Sequence, residues 1–347
     1  MLAGPMDANP ISANPILVEV SRGTMVESRH RGAVAVADAS GAAVFALGAA
    51  DAPVYPRSAI KPLQALALVE TGAADAFRLG PEEIALACAS HSGEPRHVAG
   101  VERWLAQIGL GPDDLECGPQ APTNEAVLRD MMRSGRSPSP LQNNCSGKHA
   151  GFLSVARHLG EPTKGYIGFD HAVQKLLRSI LAAMFGTELE NAPRGIDGCG
   201  IPVLAVPLVK IATAMARMAD PAVLPATRRK AALRIRASMA ANPRLVGGTN
   251  RFSTRIMTET GENALIKGGA EGVYCGILPA AGVGIAVKID DGAGRAAEVV
   301  MGGLLRRFGA LDLTQAEKLA GALEPAVRNW AGHEVGRIYP AESLLMR

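Results

Sequence analysis

"NALIKGGAEGVYCGILPAAGVGIAVKIDDGAG" runs from Asn263 to Gly294, and its reading decides the fold. Three short apolar runs are split by Gly and Pro turns, which is the pattern of strands and not of a helix. The first fifty residues carry the same signature. "ILVEVSRG" (16–23), "MVESRHRGAVAVADASG" (25–41) and "AAVFALG" (42–48) are rich in Val and Ala and alternate in part.

Between these ends the pattern is helical. "LQALALVETGAADAF" (63–77), "PEEIALACAS" (81–90), "EPRHVAGVERWLAQIG" (94–109) and "TNEAVLRDMMRSG" (123–135) carry Pro, Glu or Thr-Asn starts and Gly stops. Further helices are predicted over Gly147–Leu159, Asp170–Phe185, Val203–Met218 and Thr227–Ala241, with a last one in "RAAEVVMGGLLRRFGAL" (295–311). Strands at both ends with helices between predict an α+β fold. One antiparallel sheet would be formed by N- and C-terminal strands, with the helical region inserted between and a cleft where the two meet. The chain reads as a single unit over 1–347, with its sheet part at 16–60 and 255–311 and its helical part at 61–254.

The bulk numbers agree with a soluble globular protein. The chain has 347 residues, 48% hydrophobic and 20% charged, and only 4% aromatic, so the core should be built from small aliphatic side chains. A net charge of +3 is too small to imply nucleic acid or an anionic membrane. The basic run Arg228-Arg229-Lys230 reads as a solvated helix face. "MLAGPMDANPISANPILVEV" has no basic region or long apolar run and carries Asp7 and three prolines, so no export signal is expected. Residues 201–219 are interrupted by Pro202, Pro207 and Lys210, so no membrane span is expected there. Five widely spaced cysteines suit reduced thiols in the cytoplasm.

Four stretches could carry chemistry. In "PRSAIKPLQALAL" (56–68), Ser58 and Lys61 stand three apart where strand gives way to helix, so a first helical turn would place the amine near the hydroxyl. In "ACASHSGEPRH" (87–97), Ser90, His91, Ser92 and Glu94 form a polar edge after an apolar helix; the alternative is simple helix capping. In "IKGGAEG" (266–272), Lys267 on a strand is followed by two glycines that let backbone pass close to a ligand. "QNNCSGKHAGF" (142–152) fails as a phosphate loop, because Gln142 and His149 stand where Gly and Ser or Thr are needed. Cys145 precedes a helix there, with Lys148 one turn on. Cys199, in "RGIDGCGIPVLAV" (194–206), is flanked by glycines and preceded by Asp197. Two thiolates, Lys148 and a carboxylate or water could complete a zinc site; the alternative is two small buried hydrophobes. Cys88, Cys117 and Cys275 read as core.

Taken in order, "RSAIKPLQALAL", "ASHSGEPRHV", "NNCSGKHAGFL", "GIDGCGIPVLAVPL" and "IKGGAEGVYCG" resemble the Rhizobium etli-type (class 3) L-asparaginases, from about Val18 to Phe308. The resemblance implies a serine β-lactamase- or glutaminase-like fold, a homodimer, and hydrolysis of L-asparagine to L-aspartate and ammonia. It assigns Ser58 with Lys61 and Ser90 with Lys267 to catalysis. Cys145, Lys148 and Cys199 become ligands of Zn2+, and Asp197 holds a metal-bound water. Arg57, His91, Glu94 and Asp197 are expected on the substrate side. Ser58, deprotonated by Lys61, is then the expected nucleophile, with Ser90 and Lys267 relaying protons and the choice between the serines open. The zinc would orient the substrate or act as a Lewis acid. Glutaminase or broader amidase activity, or a zinc-binding regulatory protein without turnover, are the alternatives.

Overall fold

The computed structural model describes residues 14–345. Asp7 and the rest of segment 1–13, read above as carrying no export signal, lie outside the described residues. Eight strands form one sheet. β1 (Ile16–Arg22), β2 (Met25–Asp38) and β3 (Ala43–Leu47) come from the N-terminal part. β4 (Leu265–Gly268), β5 (Val273–Leu278) and β6 (Val283–Ile289) come from the stretch quoted first. β7 (Ala326–Arg328) and β8 (Glu334–Pro340) come from the tail. The order is β7-β8-β1-β2-β6-β5-β4, with β3 also on β2, and every pairing is antiparallel. The two ends of the chain therefore meet along β2–β6, as the strand–helix–strand order predicts, and also along β1–β8, which it does not.

All of β5 and all of β6 except Lys288 is buried, so both faces of the sheet are covered. A Cβ at Gly284 would lie 2.1 Å from the Ala216 nitrogen and 2.2 Å from the Ala212 oxygen. Helix Leu208–Ala219 thus rests its own backbone on that strand. The next residue, Ile285, faces the other way. Its partner Gly276 looks onto Met301 of helix Gly294–Arg307, which covers the opposite face.

Several predicted elements are corrected. The helix read from Val203 begins only at Leu208. Pro202–Leu204 pairs instead with Arg194–Ile196, and Val206–Pro207 with Pro53–Val54, because Pro202 and Pro207 cannot continue a helical hydrogen-bond ladder. Residues 61–76 form three short helices rather than one. The helix ending at Arg307 is not the last, since Leu313–Leu323 follows it and β7–β8 extend the sheet to Pro340, beyond the predicted limit of 311. Arg228 is not solvated: its guanidinium lies 2.6 Å from Glu70, and both side chains are largely buried. No helix among the described residues is long and apolar enough to cross a membrane.

Candidate active site

Two close backbone approaches assemble the site. A Cβ at Gly147 would sit 2.3 Å from the Leu86 oxygen, so only glycine lets helix Ser146–Leu159 start against helix Pro81–Ala87. That crossing sets Cys145 and Lys148 beside the loop after Cys88. From the other side β4 delivers Lys267. Just beyond it, a Cβ at Gly269 would meet the Ala59 nitrogen at 3.0 Å, so the Lys-Gly-Gly step passes close along the turn that carries Ser58. The elements enclose a cavity of about 420 Å³ bordered by Ser58, Ser90, Cys145, Asp197, Cys199 and Lys267.

Ser90 is the hydroxyl at the centre. Its Oγ lies 2.7 Å from Nζ of Lys267 and 3.1 Å from Nζ of Lys61. Lys61 is fully buried and also donates to the carbonyls of Ala89 at 2.5 Å and Asn144 at 3.4 Å. Three acceptors thus meet the three donors of an ammonium. Burial, joined by the charge of Lys61, pushes Lys267 well below the ordinary lysine range. An amine whose proton is held less tightly than usual, within hydrogen-bond reach of a serine hydroxyl, is chemically able to act as a base toward it.

Ser58 lies on the predicted turn but is not paired with Lys61. It sits half-buried on the 3₁₀ turn Arg57–Ile60, lines the same cavity, and its hydroxyl makes no hydrogen bond with a described residue. The amine of Lys61 reaches Ser90 and not Ser58, because its buried side chain runs inward, where the carbonyls of Ala89 and Asn144 accept its other two protons. Beside Ser58, Arg57 adopts a left-handed backbone with φ 50°. Its guanidinium contacts Asp197 at 2.8 and 2.9 Å. Burial would raise the Asp197 carboxyl, but Lys148, Arg57 and the Gly198 N–H together hold it below its usual value.

The two thiols converge on Lys148, whose Nζ is 2.9 Å from Sγ of Cys199. A hydrogen bond from Cys199 holds the Cys145 thiol well below its ordinary value against burial, with Lys148 helping. The same bond, with burial, pushes Cys199 up. Burial acts to lower Lys148, yet the two sulfurs and Asp197 outweigh it and raise it. Two sulfurs and an amine are donors that suit zinc. No group of three His, Cys, Asp or Glu among the described residues could hold a metal alone, so Lys148 would have to be the third ligand. Ligation would require it to lose the proton its neighbours now favour. His149, the more usual ligand type, is tied to the Tyr166 hydroxyl at 2.7 Å through Nδ1, and its buried Nε2 has no partner among the described residues.

The polar edge after Cys88 is mostly scaffold. His91 accepts from the Gly93 N–H at its Nδ1 and lies 2.9 Å from the Ser146 hydroxyl at its Nε2. It also stacks on His97 at 4.7 Å. Burial lowers both imidazoles. His91 borders the cavity, whereas Glu94 does not. Glu94 instead clamps the segment 247–251 through Thr249. Cys88 and Cys275 are buried core, as read, while Cys117 is buried but also reaches the cavity wall. All five cysteines are free. Sequence reasoning missed Arg251, Tyr274 and Glu298 on the wall. Tyr274 stands within the quoted "IKGGAEGVYCG" but was given no role there, while Arg251 and Glu298 belong to no spaced motif; the one signal for them is a glutamate inside the otherwise apolar run of helix Gly294–Arg307.

A serine hydroxyl thus stands between two lysine amines at a sheet–helix cavity. The chain belongs to the L-asparaginase II family, whose model matches residues 18–340. Membership makes it a hydrolase of the amidohydrolase kind, acting on a small-molecule amide. The match runs past Phe308, where the motif resemblance stops. No curated protein sequence matches the chain. Solved structures of similar chain path include a β-lactamase from Mycobacterium bovis, 14% identical, covering 80% of this chain and 94% of its own, with a TM-score of 0.42. Simvastatin synthase from Aspergillus terreus is 14% identical, covering 84% and 94%, with a TM-score of 0.37. Such loose likenesses carry no weight beside the observed sheet order.

Proposed function

We propose that the protein is an L-asparaginase that hydrolyses L-asparagine to L-aspartate and ammonia through a serine ester. The observation that carries this reading is the 2.7 Å contact between Ser90 and a buried lysine, within a cavity of an asparaginase-family chain. Ser90 gives its proton to Lys267 and attacks the side-chain amide carbon. Lys61 donates to the oxygen of Ser90 and to two carbonyls, which fixes the hydroxyl's direction. Lys267 then returns the proton to the leaving ammonia, and water releases aspartate by the reverse transfers. The Ser90 N–H already donates to the Val246 oxygen and is not free for the oxyanion. The unpartnered hydroxyl of Ser58 in the same cavity supplies a donor instead.

A zinc ion, where bound, would be held by Cys145, Lys148 and Cys199, with Asp197 close by, and would supply Lewis acidity or a fixed charge. Asp197, Arg57 and His91 border the cavity, on the side given to the substrate in this reading.

Steady-state ammonia release from L-asparagine, L-glutamine and a simple amide tests the reading. L-asparagine should be hydrolysed, with L-glutamine slower by about 10–200-fold, the usual discrimination for one methylene. Ser90→Ala should lose at least about 10⁴-fold. Ser58→Ala should lose about 10²–10³-fold, as expected for an oxyanion donor. Near-normal turnover by Ser90→Ala refutes the nucleophile. Ammonia from none of the amides would instead favour a zinc-binding protein without turnover.

A further inference from the structure

Two oppositely charged pairs border the cavity, and they differ in kind. Arg57 and Asp197 touch, so each charge already has its partner. Asp197 also accepts from the Gly198 N–H at 2.8 Å. Arg251 and Glu298 line the same cavity from separate elements, the start of helix Phe252–Thr260 and the body of helix Gly294–Arg307. Neither side chain makes a hydrogen bond or an ion pair within 4.0 Å with a described residue. They are nevertheless near one another. Burial raises the Glu298 carboxyl and the Arg251 charge opposes that; the same charge is felt at Lys267. The rings of Tyr274 and Phe252, packed edge to face at 5.9 Å, form the apolar wall beside them.

An arginine and a carboxylate that face a shared cavity without meeting present two complementary charges to whatever enters it. A molecule carrying a carboxylate and an ammonium on one carbon satisfies both at once, and the arginine fork matches a carboxylate. We propose that Arg251 and Glu298 bind the α-carboxylate and the α-ammonium group of an amino-acid substrate, directing its side-chain amide to Ser90 and Lys267. This rests on the asparaginase reading and names the residues that make the site selective for amino-acid amides over simple ones. Arg57 and Asp197 are left to hold the Ser58 turn against the thiol loop.

Calorimetric binding tests this without turnover, using L-aspartate, succinate (which lacks the ammonium) and β-alanine (which lacks the α-carboxylate). Glu298→Gln should weaken L-aspartate and β-alanine by about 10- to 100-fold and leave succinate unchanged, the range for losing one charged hydrogen bond. Arg251→Gln should weaken L-aspartate and succinate equally and leave β-alanine unchanged, with Arg251→Lys retaining part of the affinity. Thermal melting close to that of the unaltered protein checks that each variant is folded. The inference is overturned if a variant weakens all three ligands alike or none of them, or if the unaltered protein fails to bind L-aspartate. Ammonia release is scored separately. The crossed pattern without asparagine hydrolysis refutes the asparaginase reading alone; hydrolysis without the crossed pattern refutes the assignment of Arg251 and Glu298 alone.

Discussion

Glu94→Gln probes how the cavity wall is held. The Glu94 carboxylate accepts from the Thr249 N–H at 2.7 Å, the Thr249 hydroxyl at 2.9 Å, the Ser92 hydroxyl at 2.7 Å and the Asn124 amide at 3.3 Å. The fit is tight, since a Cβ on neighbouring Gly248 would lie 1.9 Å from the Ser92 oxygen. Burial by itself would raise the carboxyl, but these donors outweigh it and hold it at about 2, below its ordinary 4.5. At about 1.4 kcal/mol per pH unit, ionised Glu94 stabilises the fold by about 3 kcal/mol. Because the folded value is depressed, that contribution is complete above about pH 4.5 and disappears as pH falls through about 2. Glutamine keeps the shape but turns one acceptor into a donor that faces other donors. The expected loss is therefore about 2–3 kcal/mol at pH 7, roughly halved by pH 3. Urea denaturation of both proteins at the two pH values measures it. A difference that stays constant with pH, or one below about 0.5 kcal/mol at pH 7, refutes the clamp.

Other perturbations separate the remaining parts. Lys267→Met should lower turnover by about 10²–10⁴-fold. In the unaltered enzyme, kcat/KM should rise with pH through the depressed Lys267 value, since the neutral amine is the base; an unchanged profile in the variant would show that Lys267 is not that base. Cys145→Ser and Cys199→Ser should each weaken zinc by at least about 10-fold in competition with a chromophoric chelator, and full zinc affinity in either variant removes that cysteine from the ligand set. Gly284→Ala places a methyl against the Ala212 and Ala216 backbone, so urea denaturation should show a loss of at least about 1–3 kcal/mol. A neutral result would mean that the helix does not rest on the strand.

The sheet was legible because Val-rich runs broken by Gly stand out at both ends of the chain, and such runs bury their apolar faces by pairing with one another. The edge hairpin β7–β8 was not legible. Its two strands are short and mostly half-exposed, with charged residues, a glycine and a proline among the apolar ones, so no apolar alternation marks them. At the site, Lys267, Cys145, Lys148 and Cys199 could be singled out because glycines and a helix start flank them. The partner of Lys61 could not, since i, i+3 spacing reports only local reach. The side chain instead follows buried carbonyls contributed by Ala89 and Asn144, which are distant in sequence. Arg251 and Glu298 were invisible for a similar reason: their relation exists only once two helices border the same cavity.

The central claim is that the hydroxyl shared by the two lysines makes the ester. The most direct measurement is intact-mass and peptide mapping after reaction with a diazoketone analogue of asparagine, which alkylates the attacking group. One adduct on Ser90, absent in Ser90→Ala and retained in Ser58→Ala, is the expected result. An adduct on Ser58 that persists in Ser90→Ala would contradict it.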